Sequence, residues 1–262
     1  MKASLIISVY KDVEALEAIL RSLECQTELD FEVIVAQDAK VNCFNEAITA
    51  FIQKGYKITL LQQEDDGFQK NKILNRAIVA STTEKLIFID GDCVLHPAFI
   101  EKHLECLKPN SFCAGKRVDV DQKTSLKMRK GEMVTPTFFQ LLFNGSNRIE
   151  ETFRFLIPFK GNSKTSLLGC NMSWNKADLI KLNGFDEDYV NPGYGEDVDI
   201  EFRAELLGLQ KINTRYRTIQ YHLFHERPQR EDQVVLSHIL FCRKRENGNY
   251  RCKNGIVKEQ SK

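Results

Sequence analysis

The chain has 262 residues, of which 42% are hydrophobic and 28% are charged, a composition typical of a globular protein with one sizeable core. Its 37 basic and 36 acidic residues give a net charge of +1, so charge alone gives no reason to expect a nucleic-acid partner. Because no run of 18 apolar residues occurs, the sequence predicts no membrane-spanning helix. Eight cysteines without a Cys-x-x-Cys pair predict reduced thiols and a cytoplasmic location.

The first half of the chain alternates strand and helix patterns. The first apolar run is interpreted as a strand rather than a secretion signal, because it is short and charged residues follow it directly. Strands are predicted at 4–10, 31–36, 57–61 and 85–89, and helices at 12–25, 42–54, 70–80 and 97–107. Continuous apolar strands between helices predict an α/β fold with a single, mostly parallel, Rossmann-like central sheet flanked by helices.

The second half of the chain is less regular. Residues 116–148 are mostly polar and basic but include an apolar patch at 138–143, and residues 150–159 fit either a helix or a strand. The pattern then predicts strands at 167–174 and 218–221 and helices at 176–182 and 197–207. The basic composition of residues 241–262 predicts a solvated C-terminal tail.

Two aspartates, Asp90 and Asp92, follow the predicted strand 85–89 directly, with Gly91 between them. Ligands of parallel sheets bind beyond the carboxyl ends of the strands, so both carboxylates would face the ligand crevice. Carboxylate oxygens suit Mg²⁺ or Mn²⁺ shared with a diphosphate, and a glycine allows close approach of a phosphate. The alternative is a polar turn that caps the helix starting near Pro97.

Further acidic and histidine motifs occur late in the chain. Glu196 and Asp197 follow a loop with proline and glycine and would open a helix, where the helix dipole stabilises acidic side chains. Four acids between 196 and 201 exceed what capping needs, and a carboxylate at the mouth of a crevice could act as general base for a sugar hydroxyl. His222 and His225 could complete a metal site, although isolated histidines are more often structural or exposed.

A fourth motif spans residues 63–68, where acidic side chains precede a glycine, and Lys70, Lys72 and Asn75 follow. Such a segment could hold the base and phosphates of a nucleotide. Neither GxxxxGK[ST] nor GxGxxG occurs in the chain, so ATP hydrolysis and Rossmann-type NAD binding lose their usual sequence support.

Taken in order, these motifs form a recognisable set. They are Ser8-Val9-Tyr10, Asp38, Asp66-Gly67-Phe68 with Asn75, Asp90-Gly91-Asp92, Gly169-Cys170-Asn171-Met172-Ser173-Trp174, Asn183-Gly184-Phe185-Asp186-Glu187, Gly195-Glu196-Asp197 and the two histidines. The set resembles inverting family 2 glycosyltransferases with the GT-A fold, over residues 3–230. The N-terminal part is most similar to the chondroitin-polymerase-like branch, and the part from 169 to 225 resembles the C-terminal half of β-1,4-galactosyltransferases.

The resemblance implies a role for each matching residue. Asp197 would be the catalytic base, with Glu196 beside it holding a sugar. Asp92 and His225 would bind a divalent metal, Mn²⁺ or Mg²⁺, and His222 falls where galactosyltransferases often place a methionine ligand. Tyr194 would stack on the acceptor sugar. The residues implied in nucleotide-sugar binding are Val9, Tyr10, Asp38, Asp66, Gly67, Phe68, Lys72, Asn75, Asp90, Gly91 and Asn171.

The implied activity is transfer of a hexosyl or N-acetylhexosaminyl group from a nucleotide-sugar to a glycan or lipid-linked glycan in polysaccharide biosynthesis. The resemblance favours a UDP-sugar as the donor. Residues 1–115 would form the nucleotide-sugar-binding half and 116–240 the acceptor-binding and catalytic half of one domain, with a small acceptor-side subregion and the tail 241–262 after it. Two alternatives stay open: a sugar nucleotidyltransferase, and a non-catalytic protein that binds nucleotides or sugars.

Contact with a membrane is a further open question at this stage. The basic tail and the apolar patch 138–143 could meet an anionic membrane surface, which would place the protein peripherally on the inner face of a membrane. The alternative is an ordinary solvated tail and a core helix. The sequence predicts no oligomeric state.

Overall fold

The computed structural model describes residues 1–153, 166–226 and 231–258. Its ten strands are β1 Ala3–Val9, β2 Phe31–Gln37, β3 Ile58–Gln62, β4 Lys85–Asp90, β5 Cys93–Leu95, β6 Ser111–Ala114, β7 Val118–Asp119, β8 Met172–Asn175, β9 Gln210–Asn213 and β10 Gln220–His222. Its nine α-helices within the described ranges are α1 Val13–Leu23, α2 Cys43–Gln53, α3 Lys70–Ala80, α4 Phe99–Cys106, α5 Gln122–Arg129, α6 Phe138–Asn144, α7 Lys176–Leu182, α8 Glu196–Leu206 and α9 Glu231–Asn247. A short 3₁₀ turn covers Ile149–Thr152.

Seven strands form the central sheet in the order β3-β2-β1-β4-β8-β6-β9. Strands β1 to β4 pair in parallel, β8 runs antiparallel to both β4 and β6, and β6 pairs in parallel with β9. The predicted α/β fold with one mostly parallel sheet is therefore confirmed. Because strands on both sides of residue 115 join the same sheet, the two predicted halves share one sheet.

Side chains of the central strands alternate between two apolar cores, as the period of two along a strand requires. In β1, Leu5 and Ile7 join the core under α1 and α2, whereas Ile6 joins the core under α3, α7 and α8. Strands that are buried on both faces read as continuous apolar runs. This is why the strands of the first half were visible in the sequence.

The second, smaller sheet has the order β5-β10-β7, with β10 antiparallel to β5 and parallel to β7. Strand β5 begins directly after Asp92, and β10 ends at His222. The pairing of β5 with β10 therefore brings the turn after β4 close to the loop after β10. Together with α5 and α6 it forms a small subregion beside the main sheet. The sequence predicted such a subregion and, at 218–221, a strand that overlaps β10, but it did not predict β5 or β7, which are only three and two residues long.

The site lies where the strand order reverses. Strand β1 pairs with β2 on one side and with β4 on the other, and the chain leaves the sheet in opposite directions from this point. In open α/β sheets the crevice at such a switch point is where ligands bind. The carboxyl ends of β1 and β4 therefore place Val9, Tyr10, Asp90 and Asp92 at the mouth of this crevice.

The C-terminal region differs from the predicted solvated tail. Helix α9 runs through the predicted boundary at residue 241, and the chain after it packs back on the domain. Cys252 is buried, Ile256 packs against the second core, and Asn183 donates to the carbonyls of Cys252 and Val257. The excess of basic residues was correctly predicted from composition. Between these basic residues, however, Cys252 and Ile256 pack on the domain and anchor the segment.

Two other differences concern the middle of the chain. The predicted strand 167–174 begins later, at Met172, and residues 154–159 of the predicted element 150–159 lie outside the described residues. Among the described helices, none is both long and apolar enough to cross a membrane.

Candidate active site

A cavity of about 1150 Å³ opens at the carboxyl ends of β1 and β4. Loops from four parts of the chain form its wall: the segment after β1, the segment before α3, the turn after β4, and the loop before α8. Its lining includes Ser8–Glu14, Asp38, Gly67, Phe68, Lys70, Asp90–Asp92, Val190, Pro192, His225 and Gln233. Many sequence-predicted residues, from widely separated positions, thus meet in one cavity.

Gly91 allows the turn after β4 to touch the end of β1. A Cβ atom at this position would lie 2.8 Å from the carbonyl oxygen of Ser8 and 2.9 Å from Cγ1 of Val9, closer than real Cβ contacts. Any larger side chain would push the aspartates on either side away from β1. The glycine therefore sets how Asp90 and Asp92 enter the cavity.

The loops after β1 and before α3 are held together by Asp65. Its carboxylate accepts hydrogen bonds from Tyr10 Oη at 3.2 Å and from Lys11 Nζ at 2.6 Å. The Lys11 ammonium also lies 4.6 Å from the centroid of the Tyr10 ring. These contacts fix two walls of the cavity relative to each other.

Asp38 lies at the inner end of the same wall. Its carboxylate accepts hydrogen bonds from Gln63 Nε2 at 2.6 Å and from the Gln69 backbone amide at 3.0 Å. Burial raises the pKa of Asp38, and these two hydrogen bonds oppose the rise. A buried carboxylate with a defined orientation can accept hydrogen bonds from a nucleobase or a ribose.

Asp92, His222 and His225 bring their ligand atoms within 4.8 Å of one another. Asp92 Oδ2 lies 3.2 Å from His222 Nε2 and 3.3 Å from His225 Nε2. Asp119 Oδ1 lies 3.5 Å from the other ring nitrogen of His222, the usual arrangement of an outer carboxylate that orients a metal-binding imidazole. One carboxylate with two imidazoles fits a transition ion such as Mn²⁺ better than Mg²⁺, which prefers oxygen ligands.

Asp92 is in the protonation state that a metal ligand needs. Burial raises its pKa, but hydrogen bonds from His222 and His225 and the nearby charge of Arg117 hold the pKa well below the usual range. Its carboxylate is therefore ionised at neutral pH, with a lone pair directed between the two imidazoles.

A second cluster of charges surrounds Lys70 in the first turn of α3. Lys70 Nζ lies 2.7 Å from Asp90 Oδ1 and 3.7 Å from Glu196 Oε1. Burial lowers the pKa of Lys70, but the charges of Asp90, Glu196 and Asp197 outweigh burial and raise it. The ammonium thus stays charged and joins the turn after β4 to the start of α8.

Asp197 has the properties of a base that works near neutral pH. Burial and the adjacent charge of Glu196 raise its pKa to about 6, although Lys70 opposes this. Its Oδ1 accepts a hydrogen bond from the Val198 backbone amide at 2.8 Å in the first turn of α8. A carboxylate with this pKa is ionised at pH 7 yet accepts a proton more readily than an exposed aspartate.

The start of α8 is held rigidly by buried contacts. Gly195 has a φ of +121°, and a Cβ atom there would lie 2.4 Å from the ring of Tyr189. The Tyr189 hydroxyl and the Arg203 guanidinium both bind Asp199, at 3.3 and 2.7 Å, and Arg203 also donates to the carbonyl oxygens of Leu182 and Gly184. This network fixes the backbone on which Glu196 and Asp197 stand.

A family model of "Glycosyl transferase family 2" matches residues 4–181, well over half of the chain. The chain belongs to glycosyl transferase family 2. A curated relative, the glycosyltransferase EpsH of Bacillus subtilis (strain 168), is 26% identical over 101 residues, which are 38% of this chain and 29% of that protein. The chain thus matches less than a third of this relative's length.

Solved structures show that this family member has the GT-A fold. The mannosyltransferase PcManGT of Pyrobaculum calidifontis, in complex with GDP-Man and Mn²⁺, superposes with a TM-score of 0.60 at 16% identity, over 93% of this chain and 64% of its own. TarS of S. aureus superposes with a TM-score of 0.64 at 16% identity, over 99% of this chain and 41% of its own. A shorter TarS structure in complex with UDP superposes with a TM-score of 0.63 at 16% identity, over 99% of this chain and 68% of its own.

Two asparagines of the family motifs support the backbone instead of facing the cavity. Asn75 donates to the Phe185 carbonyl at 2.8 Å and accepts from the Phe185 amide at 2.8 Å. Asn171 is fully buried and donates to the carbonyls of Lys116 and Thr218, at 2.6 and 2.8 Å. Because both amide groups are already satisfied, their predicted contact with the donor is corrected to a structural role.

Six other predicted residues lie outside the cavity lining. Glu196 and Asp197 adjoin it through Lys70, and His222 adjoins it through Asp92. The other three are Lys72, Asp66 and Tyr194. Lys72 and Asp66 are exposed to solvent, whereas Lys70, Gly67 and Phe68 line the cavity. Two residues along a helix turn the side chain by about 200°, so Lys70 and Lys72 face opposite ways. Tyr194 is half-buried, with its ring 5.6 Å from His238 and 6.3 Å from Phe241 of α9.

Sequence reasoning named Lys70 within the segment that could hold a nucleotide but gave it no role of its own, and it left Asp119 out. Lys70 had a usable signal, since it is the first residue of the helix that follows the nucleotide segment. Asp119 had none, because it stands in a two-residue strand in a polar stretch, and its link to His222 arises only from the pairing of β7 with β10.

Proposed function

We propose that this chain is an inverting glycosyltransferase that moves a sugar from a UDP-sugar to a hydroxyl of a glycan or lipid-linked glycan. The observation that carries the proposal is that two carboxylates of the candidate site, Asp92 and Asp197, have pKa values shifted in opposite directions. Asp92 is ionised between two histidines, while Asp197, close to Lys70, has a pKa raised to about 6. The first is suited to hold a cation, the second to accept a proton.

The donor would lie in the cavity, against the wall that the segments after β1 and before α3 form. Val9, Tyr10, Gly67 and Phe68 would flank the nucleoside, and Asp38 would accept its hydrogen bonds. The solved relatives support a nucleotide-sugar in general, because their complexes contain GDP-Man, UDP or UDP-GlcNAc. Within this proposal residues 1–115 bind the donor, and residues 116–240 contribute most of the acceptor side.

Asp92, His222 and His225 would hold a divalent ion, Mn²⁺ in preference to Mg²⁺, which would neutralise charge on the departing nucleoside diphosphate. Asp197 takes the proton of the acceptor hydroxyl. The acceptor oxygen then forms a bond to the anomeric carbon from the face opposite the diphosphate, as the bond to the diphosphate oxygen breaks. Configuration inverts in one displacement, and the proton stays on Asp197 until water removes it.

Glu196 and Lys70 act on this step through charge. Glu196 raises the pKa of Asp197 and Lys70 lowers it, so the two together tune the base. Lys70 also fixes Asp90 at 2.7 Å, at the edge where the donor ribose would lie. Family membership favours glycosyl transfer over the nucleotidyl transfer considered from the sequence, while a non-catalytic binder makes different predictions in the experiment below.

The experiment is a thermal-shift titration with UDP, GDP and dTDP, each with and without Mn²⁺, followed by turnover of UDP-sugars. A ligand at 100 times its dissociation constant stabilises a protein by about 2.7 kcal/mol, which moves the melting temperature measurably. We expect UDP to stabilise the wild type only with Mn²⁺, and Asp92→Asn to lose that effect. Stabilisation by UDP with no turnover of any UDP-sugar would favour a non-catalytic binder, and no response to any nucleotide would contradict the proposed donor.

The proposal extends to location. A lipid-linked acceptor would require peripheral contact with the cytoplasmic face of a membrane. The C-terminal tail is less suited to bind the membrane than its composition suggested, because two of its basic side chains have partners within the protein. Lys244 pairs with Asp186 and Asp188, and Arg251 donates to the carbonyl of Ile180.

A further inference from the structure

Helices α5 and α6 present an exposed surface that is both basic and apolar. On α5 and its C-cap, Lys123, Lys127 and Lys130 are exposed and spaced by four and three residues, so they share one side of the helix. Residues 122–148 contain five basic residues and one acidic residue, a net charge of +4 against +1 for the whole chain. The rest of the chain therefore carries a net charge of −3, and this segment is basic against an acidic background.

Helix α6, which packs on α5, adds exposed aromatic side chains. Phe139 is 66% exposed, Phe143 is 80% exposed and Leu142 is 45% exposed. The rings of Phe139 and Phe143 lie 6.3 Å apart, nearly parallel, so they form one apolar ridge. We call Lys123, Lys127, Lys130, Phe139, Leu142 and Phe143 the α5–α6 surface.

The ridge is held in place from below. Thr137 and Gln140 form a capping box at the start of α6, and Leu141 is fully buried under it. Asn144 donates to Thr124 of α5 at 3.0 Å, which joins the two helices. A pair of phenylalanines presented to water on a fixed helix marks a surface for interaction, since such patches are rarely left uncovered.

This surface is one helix away from the candidate metal ligands. On the opposite side of α5, Ser125 Oγ accepts a hydrogen bond at 2.8 Å from the amide of Phe224, a residue between His222 and His225. Arg129 of α5 pairs with Asp12 at 2.7 Å, at the start of α1. Asp119 forms an isolated bridge with Asn147, just after α6. The helices of the α5–α6 surface are therefore joined by direct contacts to the histidine loop and to the start of α1.

We propose that the α5–α6 surface binds the anionic surface of a lipid bilayer. Phe139, Leu142 and Phe143 insert between headgroups, and the lysines lie beside lipid phosphates, as in other helices that bind at the interface. The inference deepens the proposed function by naming the surface from which a lipid-linked acceptor would reach the site. The role of this surface in catalysis rests on the proposed function, whereas its binding to vesicles can be measured whether or not that function is correct.

The charge of the surface selects this occupant over a second copy of the chain. A two-fold dimer places the same patch on both partners, so the three lysines would face an identical row or its close neighbours. Helix α9 also exposes apolar side chains, Leu236 and Ile239 among them, but its charges balance. Glu231, Asp232 and Glu246 stand against Arg243, Lys244 and Arg245. Because α9 has exposed apolar side chains without an excess of basic residues, it is a matched control.

The test is co-sedimentation of the full chain with vesicles of phosphatidylcholine alone or mixed with phosphatidylglycerol. We expect the wild type to bind the anionic vesicles and to be released by salt. Replacing Lys123, Lys127 and Lys130 by serine should weaken binding about fivefold per lysine. F139S/F143S should also weaken it, while the α9 control L236S/I239S should bind as the wild type does.

Three outcomes would overturn the inference: a wild type that does not bind anionic vesicles, surface variants that bind as well as the wild type, or self-association that depends on Phe139 and Phe143. The same proteins are also tested with UDP and Mn²⁺ in the thermal-shift assay. Lost vesicle binding with intact nucleotide response would contradict the surface alone. Vesicle binding without nucleotide response would contradict the proposed function alone.

Discussion

Two carboxylates of the candidate site, Asp92 in the cavity lining and Asp197 near Lys70 of that lining, have opposite protonation behaviour. Both are partly buried, and burial raises the pKa of each. Asp92 then meets two imidazoles that donate to it, and its pKa falls well below the usual range. Asp197 stands beside Glu196, and its pKa rises to about 6. The nearest partners, and not the residue type or the depth of burial, decide which aspartate holds a cation and which accepts a proton.

The largest effect expected from this comparison is that of Asp197→Asn. The amide cannot take a proton from the acceptor, so kcat should fall by about 10²–10⁴-fold, the usual contribution of a general base. Stabilisation by UDP and Mn²⁺ should be unchanged, because the metal ligands are intact. Glu205→Gln, an exposed change on the same helix, is the control. A variant that keeps wild-type turnover would remove Asp197 from the reaction.

The next effect concerns the outer carboxylate of the metal site. Asp119→Asn leaves Asp92, His222 and His225 in place but weakens the contact that orients His222. We expect about 10–100-fold weaker Mn²⁺ binding, as with other outer-shell carboxylates, measured by calorimetry. Asp92→Asn should weaken it further, since it removes a charged ligand. Equal affinity in Asp119→Asn and the wild type would show that the ring of His222 is held by other contacts.

A pair of variants on the base side should shift the pH profile in opposite directions. Since Asp197 must be ionised, kcat should fall as the pH drops below about 6. Glu196→Gln removes the charge that raises this pKa, so the acid limb should move to lower pH. Lys70→Met removes the charge that lowers it, so the limb should move to higher pH, each by on the order of one unit. Shifts in the same direction would contradict the electrostatic coupling.

The sequence predicted the site by two routes. Asp90 and Asp92 were found because they directly follow a predicted buried strand, and the carboxyl ends of parallel strands meet at one edge. Glu196, Asp197 and the two histidines were found by residue type and spacing, whereas the roles of Val9 and Asp38 came through family resemblance. The resemblance also predicted that Asn75 and Asn171 bind the donor. Their hydrogen bonds to backbone carbonyls show that they support loops instead.

What the sequence could not show depends on contacts between distant residues. Asp119 and His222 meet because β7 and β10 pair across about a hundred residues. The anchoring of the C-terminal segment depends on Asn183, a loop residue whose amide binds the backbone at Cys252 and Val257. No local pattern of charge or hydrophobicity encodes either contact, so composition made the segment look like a tail.

The smallest expected effect on the chemistry tests how the two aspartates enter the cavity. Gly91→Ala places a methyl group 2.8 Å from the Ser8 carbonyl, and the backbone must shift to accept it. We expect a loss of about 1–3 kcal/mol in the free energy of unfolding, measured by denaturant titration, with weaker Mn²⁺ binding through the displaced Asp92. Gly169→Ala is the matched control, because the nearest atom to its added methyl group is the Lys70 ammonium at 3.6 Å, an ordinary contact. If both alanines cost the same, the close approach at β1 does not position the turn, and the orientation of Asp92 must come from its histidines alone.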